Sequence, residues 1–329
     1  MLNKLVVLGT GGTIAGASLQ AADNVGYRAA QLDIGPLLQS IPGMQDVLNG
    51  HGLVSEQVVQ VDSKDMGYGQ WRALVQRVQH HLEQADVAAV VITHGTDTLE
   101  ETAFFLSKVL SAPLLGAKPV VLTCAMRPAS ALAPDGPQNM RDAVTVALDD
   151  MACGVLVVCA GAIHGARDVQ KVHPYRVDAF ASGEAGPLGL VEERVVRWLH
   201  ACPNPQDDGV PLAVEQGLAP AWPRVEIVTS HAGADGWIVR ALCTPMAGAD
   251  PVRGIVVATT GNGTIHADLD AALQAAQALG VRVVRSTRCS QGHIVQGTST
   301  ASGFPCAQAS SPVKARIELV LDLLRERKG

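Results

Sequence analysis

Two stretches of the chain set a hydroxyl at the end of an apolar run. In residues 5–16, LVVLGTGGTIAG, a β-branched run gives way to glycines around Thr10 and Thr13. In residues 87–101, VAAVVITHGTDTLEE, a second such run gives way to Thr96 and Asp97. A hydroxyl just past the C-terminal end of a buried strand stands where open α/β sheets hold their ligands. The glycines permit a sharp turn and a close backbone approach to a small molecule. Two such strand ends in one sheet point to hydrolysis without a metal or an activated serine. A threonine hydroxyl is a weak nucleophile alone and needs a neighbouring base or a lowered pKa. Tyr27, after the first loop, and Lys171, in GARDVQK at residues 165–171, are the candidate activators.

Other chemistries fit less well. A dinucleotide fingerprint starting at Gly9 and Gly11 would need a small residue at position 14, which is Ile14. A phosphate-binding loop fails because no Lys-Ser/Thr pair follows the glycines. The ten histidines include His80 and His81 on a polar helix face, but there is no H-E-x-x-H and no paired C-x-x-C. No metal and no cofactor are therefore expected, and His94 reads as a packing or hydrogen-bonding group. The serine elbow G-x-S-x-G is absent. The one S-x-x-K, at Ser311 to Lys314, reads as a helix start, with Ser311 as N-cap and Pro312 in the first turn.

The elements that must carry these residues alternate. Strand-like runs fall at 5–8, 58–61, 88–93, 119–123 and 154–159, with helical patterns at 70–85, 99–110 and 139–151. Near-continuous apolar strands alternating with helices predict an α/β fold with a mostly parallel sheet covered on both faces. Thr98 and Glu101 have the spacing of a capping box, which starts a helix right after Asp97. The texture changes after Trp198: residues 201–223 carry five prolines and little periodicity. A second set follows, with strands at 225–229, 254–258 and 282–285 and helices near 236–243, 269–279 and 312–327. The expected organisation is a larger N-terminal α/β domain (1–198), a linker (199–223) and a smaller C-terminal α/β domain (224–329).

Composition narrows the function classes. The chain has 329 residues, 47% of them hydrophobic and 17% charged, enough apolar material for two cores. A net charge of -6 argues against nucleic acid as a partner. No apolar run approaches the roughly 18 residues of a membrane span. MLNK leads straight into the first strand, which leaves no room for a charged and an apolar leader region, so a cytoplasmic protein is expected. Seven scattered cysteines give no disulfide framework. Cys124, Cys153 and Cys159 lie in apolar context and read as buried free thiols of a reducing compartment.

The segments TGGTIA (10–15) and HGTDT (94–98), in this order, resemble the two signature segments of bacterial-type L-asparaginases. SKDM (63–66), AMRP (125–128), DGP (135–137), GARDVQK (165–171), GPLG (186–189) and RSTR (285–288) add to the likeness. It is dense from residue 5 to about residue 190 and sparse beyond. The resemblance implies a cofactor-free amidohydrolase acting on L-asparagine, with a glutaminase-asparaginase or a related amidase as the near alternative. A non-catalytic small-ligand binding protein is the remote one. It also implies Thr13 as nucleophile, Tyr27 as its activator, and Thr96, Asp97 and Lys171 as a proton relay. Ser63 would bind the substrate's α-carboxylate and Asp97 its α-ammonium. The family builds its sites between subunits of intimate dimers, so a homotetramer is expected. The chain departs from the family pattern in two places. Lys64 stands where secreted members commonly have glutamine, which would put an ammonium beside Ser63 facing the α-carboxylate. Those members also lend a glutamate from a neighbouring C-terminal domain, whereas no acidic residue lies between Arg288 and Glu318 here. Thr264, in the GNGT segment ending there, is the candidate contribution across the interface.

Overall fold

The structure, a computed structural model, describes residues 3–18, 20, 23–202, 222–245, 248, 250–295, 303–309 and 311–326. The chain divides into two compact units, residues 1–214 and 215–329. In the first, the strands are β1 (Lys4–Gly11), β2 (Gly52–Val61), β3 (Val87–Thr93), β4 (Val120–Thr123), β5 (Val155–Cys159), β6 (Ala162–Gly165), β7 (Gln170–Lys171), β8 (Phe180–Ala181), β9 (Gly189–Glu192) and β10 (Val195–Trp198). Its helices are α1 (Ile34–Gln39), α2 (Met44–Leu48), α3 (Tyr68–Leu82), α4 (Leu99–Val109), α5 (Ala112–Ala117) and α6 (Gly136–Ala147).

Eight strands form one sheet in the order β10-β9-β6-β5-β4-β3-β1-β2, and β7 pairs only with β8. The run from β5 to β2 is parallel. Strands β6, β9 and β10 extend it antiparallel. The inner strands β1, β3, β4 and β5 are almost wholly buried, which is why they read as unbroken apolar runs rather than alternating ones. Strand β2 is an edge strand, partly exposed along its length. The polar Ser55-Glu56-Gln57 stretch in it hid its start, and the strand begins six residues before the expected run. The antiparallel extension was not expected at all. Its strands are short, and two-residue turns make two of the joins. Ala160 and Gly161, with φ of 50° and 74°, turn β5 into β6. Glu193 and Arg194, at 47° and 66°, turn β9 into β10. Left-handed pairs match the strand twist in tight hairpins, but Glu-Arg is not the residue pair that announces one.

The expected capping box does not form. Helix α4 starts after Thr98, but Thr98 makes no side-chain cap. Its hydroxyl donates instead to the Ser63 carbonyl at 2.7 Å, so the needs of a neighbouring loop outweigh the local cap.

The second unit is a three-stranded parallel sheet, β11 (Arg224–Thr229), β12 (Val252–Thr259) and β13 (Arg282–Thr287), with β12 in the centre. Helices α7 (Trp237–Cys243), α8 (Ala267–Ala278) and α9 (Pro312–Glu326) accompany it, and its core gathers Ile255, Val257, Leu273 and Phe304. The Ser311 hydroxyl lies 3.4 Å from the Lys314 N–H, the N-cap arrangement expected for α9. Most of the expected linker lies outside the described residues. Its first part, Leu199 to Cys202, is held by the first unit: the N–H groups of Leu199 and His200 both donate to the Leu188 carbonyl. Among the described residues no helix is long and apolar enough to cross a membrane.

Candidate active site

The two threonine loops leave adjacent strands, because β1 pairs with β3 in parallel register through Gly9 and Thr93. Beyond the strands the loops touch through their glycines. Gly12 has φ 79° and ψ -170°, a conformation that only glycine adopts readily. A Cβ on Gly12 would lie 2.3 Å from the Gly95 α-carbon, and one on Gly95 would lie 2.5 Å from the Ser63 hydroxyl oxygen. Backbone thus lies against backbone. Thr13 and Thr96 each follow one of the touching glycines, and both are buried.

Thr13 sits in a single 3₁₀ turn, Thr13–Ala15. Its hydroxyl meets the Tyr27 hydroxyl at 2.6 Å. The chain folds back to deliver that tyrosine: Ala17 and Arg28 exchange both backbone hydrogen bonds, and the Ala30 N–H donates to the Gly12 carbonyl at 3.0 Å. Gly16 admits the ring, since a Cβ there would fall 2.8 Å from it. Burial raises the Tyr27 pKa above the ordinary tyrosine value, and the Thr13 hydrogen bond works the other way. The phenol is therefore neutral at physiological pH. It exchanges a hydrogen bond with Thr13 without adding charge.

Thr96 has charged company. The Lys171 ammonium donates to the Thr96 hydroxyl at 2.8 Å and to the Asp97 carboxylate at 2.6 Å. The lysine side chain is 17% exposed and the aspartate side chain 52%, so the pair faces outward on the Asp97 side. With its oxygen accepting from Lys171, Thr96 keeps its own proton free to donate. Lys171 lies on β7, whose backbone is held by a residue that sequence reasoning missed: the Lys171 N–H donates to the Glu100 carboxylate on α4. Glu100 lies three residues after Asp97, and that closeness was the one available signal.

Ser63 joins the second loop from the end of β2. Its hydroxyl accepts from the Asp97 N–H at 3.1 Å, which leaves the serine proton available to a ligand. Lys64 is placed differently from its expected role. Its ammonium pairs with Asp65 and lies 3.5 Å from Asp62, and its side chain is 60% exposed. Thr264 belongs to the second unit, where it is exposed in a turn closed by Thr260, with hydroxyl to hydroxyl at 2.8 Å.

A second set of residues with no assigned role supports the Thr96 loop from beneath. The Trp71 indole N–H donates to the Thr102 hydroxyl at 2.9 Å, and that hydroxyl lies 2.9 Å from His94 Nε2. His94 Nδ1 lies 2.8 Å from the Gly95 carbonyl, which can only accept, so the proton is on Nδ1. Burial lowers the His94 pKa to about 4, and the ring stays neutral. The imidazole thus fixes the backbone one residue before Thr96. Among the described residues no group of three or more His, Cys, Asp or Glu is arranged to hold a metal ion.

The chain resembles known proteins along nearly its whole length. Residues 4–203 match the family model described as Asparaginase, N-terminal, and residues 224–328 match Glutaminase/Asparaginase C-terminal domain. A probable periplasmic L-asparaginase of Haemophilus influenzae is 35% identical over 99% of this chain and 90% of its own length. A glutaminase-asparaginase of Pseudomonas fluorescens is 35% identical over 98% of this chain and 87% of its own. Among solved structures, a probable cytoplasmic L-asparaginase from Campylobacter jejuni aligns with a TM-score of 0.86 at 34% identity, covering 98% of this chain and 95% of that one.

Proposed function

Because the chain belongs to the asparaginase family, we propose that it hydrolyses the side-chain amide of L-asparagine to aspartate and ammonia, with Thr13 as nucleophile. The observation that carries the reading is the contact of Gly12 with Gly95, which brings together two loops whose threonines, one residue on, have different partners. Thr13 Oγ1 attacks the amide carbon as its proton passes to the Tyr27 oxygen, 2.6 Å away, while the phenol releases its own proton to water and so stays neutral. Backbone N–H groups beside the two threonines stabilise the oxyanion. The Thr96 hydroxyl, backed by Lys171, donates to the departing nitrogen. Ammonia leaves, and an ester to Thr13 remains. Water then cleaves the ester, the same Thr96–Lys171 pair takes the water's proton in place of the one it gave to the nitrogen, and Thr13 recovers its own through Tyr27. Ser63 donates to the substrate α-carboxylate, and Asp97 accepts from its α-ammonium.

We also propose a homotetramer of intimate dimers in the cytoplasm, with the linker at 199–223. Thr264 is its candidate contribution to a neighbouring site. Lys64 is not given a substrate contact, because its ammonium is engaged by Asp65 and Asp62. Glutamine is the second substrate to test, since some relatives are glutaminase-asparaginases. The decisive assay is ammonia release from asparagine, glutamine and their D-forms. Activity on L-asparagine that disappears in Thr13→Ala supports the reading; no release from any of the four overturns it. Sedimentation of the active enzyme tests the tetramer, and an active monomer refutes it.

A further inference from the structure

Four of the seven cysteines stand in two pairs. Cys124 and Cys159 follow one another across the parallel strands β4 and β5 and are both buried. The other pair is partly exposed. Cys153 precedes β5 and Cys202 follows β10, and both are only partly buried. The Cys202 thiol donates to the Cys153 carbonyl at 2.9 Å and accepts from the Cys153 N–H at 3.3 Å. The Cys202 sulfur thus lies within hydrogen-bond distance of both backbone polar atoms of Cys153, the proximity that a disulfide between the two residues requires.

The surroundings hold the two segments in place. Trp198 Nε1 donates to Asp149 at 3.0 Å, so residues 198–202 are strapped across the turn at 149–153 at two points. This strap is the last described part of the first unit before the second begins.

We propose that Cys153 and Cys202 are a redox modification site: they close into a reversible disulfide that locks this strap onto the first unit. The oxidant is a low-molecular-weight disulfide of the glutathione type. One protein thiolate attacks it and expels one of its sulfurs as thiolate. The second protein thiolate then attacks the protein sulfur of the mixed disulfide and expels the other. Two protein S–H groups and one external S–S become one protein S–S and two external S–H groups, and two electrons pass to the external disulfide. Burial pushes the Cys202 thiol up to about 12, so the thiolate is scarce and closure accelerates toward alkaline pH. Cys124 and Cys159, out of reach of the reagent, stay reduced while the protein is folded.

The test treats the intact, native enzyme with oxidised glutathione, followed by peptide mapping without reductant and by thermal unfolding. Cys289 is exposed and reports that the reagent reached the protein. The expected result is one cross-linked species joining the Cys153 and Cys202 peptides, lighter by two hydrogens than the separate peptides. Dithiothreitol should reverse it. Closing a loop of 49 residues should raise Tm by on the order of 5–10 °C. Both signals should be absent in C153S and in C202S; in the latter the serine hydroxyl still donates to the Cys153 carbonyl, so the fold is kept. Glutathione on Cys289, with Cys153 and Cys202 left as thiols or each carrying its own glutathione, overturns the proposal.

Discussion

The two threonine loops are built alike and furnished differently. Each leaves a buried parallel strand, turns on a glycine pressed against the other's glycine, and presents a buried hydroxyl. Thr13 is then given a neutral phenol from 14 residues away. Thr96 is given a lysine from 75 residues away and, through it, an ion pair with Asp97. A hydroxyl beside a neutral phenol can pass its proton through that phenol as it attacks a carbonyl. A hydroxyl beside an ammonium is set to donate a proton and recover it. The symmetric frame therefore supports an asymmetric division of labour, nucleophile on one side and proton traffic on the other.

The sharpest way to break that comparison is to remove each side in turn. Thr13→Ala should reduce kcat by several orders of magnitude with the fold intact, as loss of a nucleophile does. Lys171→Met should cost about 10³-fold in kcat and leave asparagine binding measurable by calorimetry, since general acid–base assistance is worth about 10²–10⁴-fold. If the two sides share one role, Lys171→Met will instead lose binding while its residual turnover stays normal.

The frame itself comes next. Gly12→Ala puts a Cβ 2.3 Å from the Gly95 α-carbon in a backbone region that alanine avoids. Strain of this kind costs about 1–3 kcal/mol before any clash is counted. Both loops should move, so kcat should fall and chemical denaturation should show lower stability. Thr10→Ser, which keeps the hydroxyl that donates to the Thr93 carbonyl at 2.8 Å, should do neither and serves as the control.

What could be read from the sequence followed the same division. On the Thr13 side the residues alone offered Thr10 and Thr13 as hydroxyls and Tyr27 as a candidate activator, and the family resemblance made the choice; the partner itself lies within one local excursion of chain. The Thr96 side was legible only as far as Asp97. Lys171 is carried by the two-residue strand β7, too short for any period, and its place is set by pairing with β8 and by Glu100. The residues offered Lys171 as a candidate activator, but the resemblance to a known family paired it with Thr96. The parallel strands were visible because burial on both faces forces continuous apolar runs. The hairpins β5–β6 and β9–β10 were not, because their turns use alanine, glutamate and arginine at left-handed positions. Cys153, expected to be buried with the other thiols, is partly open because it stands in the turn before its strand rather than within it.

Acid should distinguish the loops by their supports. His94 braces the Thr96 loop in its neutral form, and burial lowers its pKa to about 4 from the usual 6.5. His164 is lowered to about 4 by burial as well. Between these values the unfolded chain binds a proton that the folded one refuses. The stability present above pH 6.5 is therefore lost as pH falls toward 4, by roughly 3 kcal/mol for each histidine. Urea unfolding across that window should show the slope, and His94→Asn should remove about one proton from it. An unchanged slope in His94→Asn means that the histidine is already charged in the folded protein and does not brace the loop as drawn.

The smallest effect is expected at Lys64. Its ammonium is paired with Asp65 and near Asp62, and 60% of the side chain is exposed. Exposed pairs of this kind contribute little, and water and salt replace them readily. Ser63, by contrast, is buried, and its oxygen is already occupied by the Asp97 N–H, so its proton has a direction to point. Lys64→Gln should accordingly change KM for asparagine by less than about twofold, whereas Ser63→Ala should raise it by about tenfold or more, the loss of a hydrogen bond to a charged group. An asparagine analogue with its α-carboxylate amidated sharpens the test. If Lys64 swings from Asp65 to the substrate when it binds, Lys64→Gln will raise KM for asparagine and leave the amidated analogue untouched. The departure from glutamine at this position would then be a device for reading the α-carboxylate, and the second loop would hold one more charge than the folded enzyme displays at rest.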